Sequence, residues 1–309
     1  MRIVILERNR LVSRRIARFF TAAGLDAVCV EAPADLAPHL ETADVLAADT
    51  FDGDLVVATC KAQPRLRALL WTAEPLKHTL RHCVDVPQIS NVMGRKDFES
   101  TPRSWEMVMV ARRLLRPDDP GPPFSSFVDW GFTGFQEKIA TTGARDAAVE
   151  KVQRFINNLA VPKRISEMFG ELTHELLMNG MFDAPIDVEG RAKYALDRKA
   201  QLDLPEAEQP LLRVATDGAR VAIQVRDPFG RLQRRHVFEG LVRGLAGGEM
   251  DTSHGGAGLG MVVCHNNTVA LFFDVVPGKH TEVTGVFELD LNLREFRTQA
   301  KSLHFFQAS

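Results

Sequence analysis

Cysteine is scarce and dispersed in this chain, and neither a long apolar run nor an excess of one charge sign is present. The four cysteines, Cys29, Cys60, Cys83 and Cys264, form no C-x-x-C pair and no His/Cys ligand spacing. That excludes a zinc ribbon and a disulfide framework, and reduced thiols in a cytoplasm are the expectation. No stretch nears the roughly 18 apolar residues of a membrane span. The opening "MRIVILERNR" is apolar for only four residues before Glu7, too short for a signal-peptide core. Lys and Arg number 38 against 40 Asp and Glu, a net charge of −2, so no global field recruits nucleic acid or an anionic membrane. Internal repeats are absent as well.

What is there is ordinary globular material: 309 residues, 45% hydrophobic and 25% charged, enough for two cores. The chain divides at 117–126, "PDDPGPPFSS", which can be neither helix nor central strand. Residues 1–116 alternate. Apolar runs at 2–6, 27–30, 44–48 and 67–72 suit buried parallel strands, and 11–24 and 103–115 have helical spacing. The expected class is α/β, with a doubly wound parallel sheet first. Residues 127–298 form the second domain and 299–309 a C-terminal tail in which Phe305 and Phe306 are expected to pack against the domain, with a docking peptide as the alternative.

In its alternation, residues 1–116 resemble a response-regulator receiver. The resemblance places Asp49, at the end of the third strand, as a phospho-acceptor candidate and Thr72 at the switch hydroxyl. Receivers hold Mg²⁺ with two adjacent acids after the first strand; here Glu7 is followed by Arg8, and Lys96 in "MGRKDF" stands in for the usual Lys-Pro lysine. The expectation is a pseudo-receiver in which an arginine cation takes the place of the metal, with a working receiver as the alternative.

The second domain carries "SHGGAGLGMVV" (253–263), a glycine density that serves positive φ or close approach to a phosphate. It is no P-loop, because Met261 rather than Lys follows Gly260, and no dinucleotide fingerprint, because the third glycine comes one residue early. Upstream, in "ISEMFGELTHELLMNGMFDAP" (165–185), Glu171, Glu175, Asn179 and Asp183 recur every fourth residue and share a helix face. Met168, Phe169, Leu172, Leu176 and Leu177 supply the packing side. Between them, two β-rich runs flank Asp217-Gly218, a type I′ hairpin signal, and end at "RDPFG" with Asp227 and Gly230.

Together these pieces resemble the GHKL ATPase superfamily, over about 127–293: Glu175-x-x-x-Asn179 as the N box, "RDPFG" as the adenine box, "GGAGLGM" as the glycine box. The resemblance implies an α+β sandwich of Bergerat type that binds ATP and Mg²⁺. It implies Asn179 as the Mg²⁺ ligand, Asp227 and Gly230 at adenine, and Gly256, Gly258 and Gly260 around the phosphates. It implies Glu175 as general base and 231–254 as a mobile lid. Gly230 comes one position later than the usual Asp-x-Gly, and relatives often have His or Lys where Asp183 stands. The polar insertion 186–210 has no assigned role.

Other features have plain readings. His174 lies beside the polar stripe rather than on it and reads as structural. Arg234, Arg235 and Arg243 read as a solvated lid face, with phosphate contact as the alternative, and Trp71, Trp105 and Trp130 as core or interface aromatics. The arrangement of 127–164 is closest to the anti-sigma-factor serine kinases. The expected function is therefore a protein serine/threonine kinase acting on a regulatory partner protein of the anti-anti-sigma kind. The alternatives are a non-catalytic ATP-dependent interaction switch and a histidine-kinase relative, the last disfavoured because no dimerising hairpin with a phospho-acceptor fits before the N box. A homodimer is compatible with all three.

Overall fold

The computed structural model describes residues 1–245 and 257–308 and is mixed α/β. The chain forms two compact units, Met1–Gly121 with Thr298–Phe306, and Pro122–Arg297.

The first unit runs β1 (Arg2–Leu6), α1 (Arg10–Ala22), β2 (Asp26–Val30), α2 (Ala37–Leu40), β3 (Val45–Asp49), α3 (Gly53–Ala62), β4 (Arg67–Thr72), α4 (Leu76–Val84), β5 (Ile89–Gly94) and α5 (Ser104–Leu115). Its strands lie in the order β2-β1-β3-β4-β5, all parallel. The central strands are covered on both faces, so they read as unbroken apolar runs: Ile3 to Leu6 and Val45 to Ala48 are all 0% exposed. Helices α1 and α5 pack together, and α3 packs on α4. Asn9 starts α1 by accepting from the Leu11 and Val12 amides at 3.0 and 3.3 Å. The strand order reverses direction between β1 and β3, and the crevice outside their carboxyl ends is where Glu7 and Asp49 meet.

The second unit runs β6 (Thr133–Lys138), α6 (Thr142–Asn157), α7 (Lys163–Met178), β7 (Leu211–Thr216), β8 (Arg220–Asp227), α8 (Arg234–Leu245), α9 (Ala257–Asn266), β9 (Ala270–Val276), β10 (His280–Glu288) and α10 (Leu293–Thr298). Its sheet, β9-β10-β8-β7-β6, is antiparallel throughout these pairs. The apolar face of α7 packs on it, with Phe169 edge-on to Phe287 of β10 at 5.4 Å between centroids. Helix α7 also packs on α6 and α9, and α8 on α9.

Two expectations need correction. The turn between β7 and β8 is not type I′. Only Gly218 has positive φ, +88°, while Asp217 stays on the other side and accepts from the Ala219 and Arg220 amides. Trp130 is no core or interface aromatic within its unit, being 99% exposed, whereas Trp71 is 0% exposed. In the C-terminal residues, Phe305 and Phe306 are buried at 4% and 9%, as expected of a packed tail. Residues 299–309 contain β11 (Ser302–Gln307), antiparallel to β5 in the first unit, with Leu303 at 0% exposure. His304 fixes that strand from the inside, its Nδ1 3.1 Å from Asn91 Oδ1 and its Nε2 2.8 Å from Glu106 Oε1.

Just before β11, burial pushes the Lys301 amine down from 10.5 to about 7. Between these values the unfolded chain binds a proton that the folded chain does not, so stability rises with pH across this window and is lost as pH falls toward 7. Lys301→Met is expected to be more stable than the wild type at pH 7 and to lose a pH slope of at most about 1.4 kcal/mol per unit. Urea unfolding of both proteins at pH 7 and 9 checks this; identical slopes would refute it.

Candidate functional site

Helix α7 does not stop at Met178 as an ordinary helix. Residues Asn179–Asp183 continue as a wide π turn, closed by the Ala184 amide donating to the Asn179 carbonyl at 2.9 Å. Such turns insert one residue into the helical repeat and so re-aim the side chains they carry. The stripe of four polar residues is thereby divided into different tasks. Glu171 is at the exposed end, bound by Arg164 Nη1 at 2.9 Å and Asn267 Nδ2 at 3.0 Å. Glu175 and Asn179 are half-buried. Asp183 is paired with Arg198 of the insertion, and burial pushes its carboxyl up, with repulsion from Glu175 adding to this and Arg198 opposing it.

Helix α9 crosses α7 at this point. A Cβ on Gly260 would collide with Glu175 Oε2, so the glycine at this position is what lets the start of α9 approach the carboxylate. Gly258 lies in the first turn of α9; Gly255 and Gly256, and residues 246–254 of the expected lid, lie outside the described residues. The described part of the lid is α8, whose Val237, Phe238 and Leu241 are at most 1% exposed, so this portion is a packed helix rather than a loose flap. Of its arginines, Arg234 lies over the Phe238 ring at 4.3 Å and Arg243 pairs with Glu239 at 3.8 Å.

Asp227 ends β8 and is 8% exposed. Its Oδ1 accepts from the Phe229 and Gly230 amides at 2.9 and 3.3 Å, and Thr281 on the neighbouring strand also hydrogen-bonds to the carboxylate. Burial pushes this carboxyl up, and those donors pull it back. Gly230 sits at φ +63°, and a Cβ there would strike the Val276 carbonyl. Gly180 of the π turn lies against β8, where a Cβ would be 3.4 Å from Val225 Cγ1, two residues before Asp227. The segment from Glu175 to Asp183 therefore lies against Gly260 at one point and against Val225, two residues before Asp227, at another.

In the first unit, Asp49 is also 8% exposed, and both its oxygens are engaged. Oδ1 accepts from the Phe51 amide at 2.8 Å, and Oδ2 from Arg95 Nη2 at 2.7 Å, while Arg95 Nη1 reaches Glu7 Oε2 at 3.0 Å. Burial pushes the Asp49 carboxyl up, against the pull of Phe51 and Arg95. The cation between the two acids is thus Arg95, a residue that sequence reasoning missed. Arg8 turns instead to Asp52 and lies over the Phe51 ring at 4.8 Å; Lys96 is exposed. The Thr72 hydroxyl accepts from the Glu74 amide at 2.9 Å.

Among the described residues, no group of three or more His, Cys, Asp or Glu side chains is arranged to hold a metal ion, and no helix is long and apolar enough to cross a membrane. No protein-family model matches the chain, and no curated protein matches it either.

A buried cation shared by two carboxylates leaves no open position on Asp49. Incubation with acetyl phosphate and Mg²⁺ is expected to add no phosphate that disappears in Asp49→Asn, as read by mass spectrometry. Arg95→Ala strands two buried acids and is expected to cost about 3–5 kcal/mol of stability, measurable by urea unfolding. A stable phospho-Asp49, or an Arg95→Ala protein as stable as wild type, would contradict this account.

Proposed function

We propose that the second unit is a GHKL-type ATP-binding domain of the Bergerat arrangement, and that the first is a receiver-like domain whose acid pocket is closed by Arg95. The protein then acts as a protein serine/threonine kinase of the anti-sigma-factor type on a regulatory partner. The observation that carries the reading is the seating of Gly260 against Glu175, with Gly180 just beyond the same helix lying against Val225, two residues before Asp227. The antiparallel sheet with α6, α7 and α9 packed in succession supports the same arrangement, and the β2-β1-β3-β4-β5 order supports the receiver likeness.

The residues fit a Mg²⁺–nucleotide in chemistry. Mg²⁺ bound to a triphosphate needs only one or two protein oxygens, so the Asn179 carboxamide suffices without an acidic cluster. Asp227, buried and fixed by three neighbours, is an acceptor suited to an amino group such as that of adenine. Gly258 and Gly260 lie in the first turn of α9, where free amides and the helix dipole favour an anion. Bound ATP would supply the transferable phosphoryl group. Glu175 Oε2 is the proton acceptor for a serine hydroxyl, held one helical turn from Asn179.

The second reading, a non-catalytic switch that binds ATP and changes its surface, keeps every binding residue and drops only the role of Glu175. A fold licenses binding and not a reaction, so the two are separated by turnover. Titration calorimetry should detect Mg²⁺–ATP binding to the full chain that is lost or strongly weakened in Asp227→Asn and Asn179→Ala. Equal affinity in all three proteins, or none in wild type, would end the ATP reading. Glu175→Gln should keep ATP affinity within a few-fold and lower phosphoryl transfer or hydrolysis by about 10²–10⁴. Unchanged turnover in that variant would leave the switch.

A further inference from the structure

The insertion between α7 and β7 is anchored at both ends. Near its start, the Lys193 amide donates to the Pro185 carbonyl at 3.0 Å, and the Lys193 amine pairs with Glu208. Near its end, Leu202 and Leu204 are buried at 8% and 3%, the Leu204 amide donates to the Ala140 carbonyl at 2.8 Å, and Thr142 Oγ1 donates to Gln201 Oε1 at 2.6 Å. Between these anchors the chain delivers one guanidinium, that of Arg198, to Asp183 on the π turn. The pair is partly open to solvent, with side-chain exposures of 24% for Arg198 and 30% for Asp183, and pairs at that exposure add little to stability. Arg198 Nε is buried and has no hydrogen-bond partner among the described residues. A guanidinium is a fork of five donors, and the Nε edge of this one is idle.

We propose that Arg198 is a phosphate-binding residue of this site, holding the terminal phosphate of a bound nucleoside triphosphate, with Asp183 as its partner when no nucleotide is present. The proposal rests on the ATP reading above. Its physical reason is charge. Burial raises the Asp183 carboxyl, repulsion from Glu175 adds to this, and a polyanion arriving beside the two acids needs a cation that stays charged. Arginine does so, and its planar fork matches phosphate oxygens two at a time. Lys193, the nearby alternative, is committed to Glu208. Because both ends of the insertion are fixed, little chain has to be ordered when the guanidinium changes partner, and the idle Nε gains an acceptor.

Calorimetric titration of the full chain with Mg²⁺–ATP and Mg²⁺–ADP tests this, with thermal unfolding as the check on folding. Arg198→Ala should weaken ATP by about tenfold and ADP by less than about twofold, since only ATP carries the terminal phosphate. Arg198→Lys, which keeps the charge and loses the fork, should fall between. Asp183→Asn should tighten ATP by about threefold, because Arg198 no longer has to leave a carboxylate. Asp227→Asn should weaken both nucleotides alike, marking the site itself. Equal losses of ATP and ADP in Arg198→Ala, or parallel losses in Arg198→Ala and Asp183→Asn, are what a purely structural pair gives and would overturn the proposal. Nucleotide binding untouched by Arg198→Ala would overturn it alone; a wild type that binds neither nucleotide would overturn the ATP reading and this proposal together.

Discussion

Helix α9 lies close to α7 at position 260, where Glu175 Oε2 occupies the space a side chain would take. Everything around the candidate site follows from that approach. It brings the first turn of one helix to a carboxylate on another. It also sets where α8 and β9 must run, since both pack on α9. A methyl group at Gly260 would have to displace a half-buried acid that lies near Asp183, itself engaged with Arg198. The burial of Met261 and Cys264 just behind it, at 7% and 1%, leaves α9 little room to retreat.

The two units handle buried acids by different means. In the first, Glu7 and Asp49 share one internal arginine whose side chain is 2% exposed, a closed arrangement in which removing Arg95 leaves two buried acids without a cation. In the second, Asp183 is neutralised by a surface loop and Asp227 by backbone amides and a threonine. Closed and open arrangements suit different roles. The first is sealed from solvent, whereas the Asp183 pair of the second is partly open to it.

Much of this was legible in local sequence, and the remainder was long-range. The strands β1, β3 and β4 announce themselves as unbroken apolar runs, and Glu175, Asn179, Asp227, Gly230 and Gly260 can be picked out because turn and helix constraints act over a few residues. Arg95 could not be found that way: its partners lie 88 and 46 residues earlier, and the eye was drawn to Lys96 next door. The Arg198–Asp183 pair hid inside an insertion without periodicity. Strand β11 escaped because "SLHFFQ" is buried on both faces and so lacks the alternation that marks a strand with one wet side. Trp130 misled in the opposite sense, since a large aromatic usually signals burial.

The return of β11 to β5 has a consequence for how the chain is made. By connectivity, the second unit is an insertion into the first, whose sheet takes strands from residue 2 at one end and residue 307 at the other. During synthesis the first five strands emerge early, but β5 keeps an unpaired edge until some two hundred further residues have followed, and Gly94, whose amide donates to Ser302 Oγ at 2.8 Å, waits for that same partner. The last unit to be finished is therefore the first to be started, and a ribosome that stalls anywhere after the linker leaves a half-closed sheet exposed to whatever else can lend it a strand.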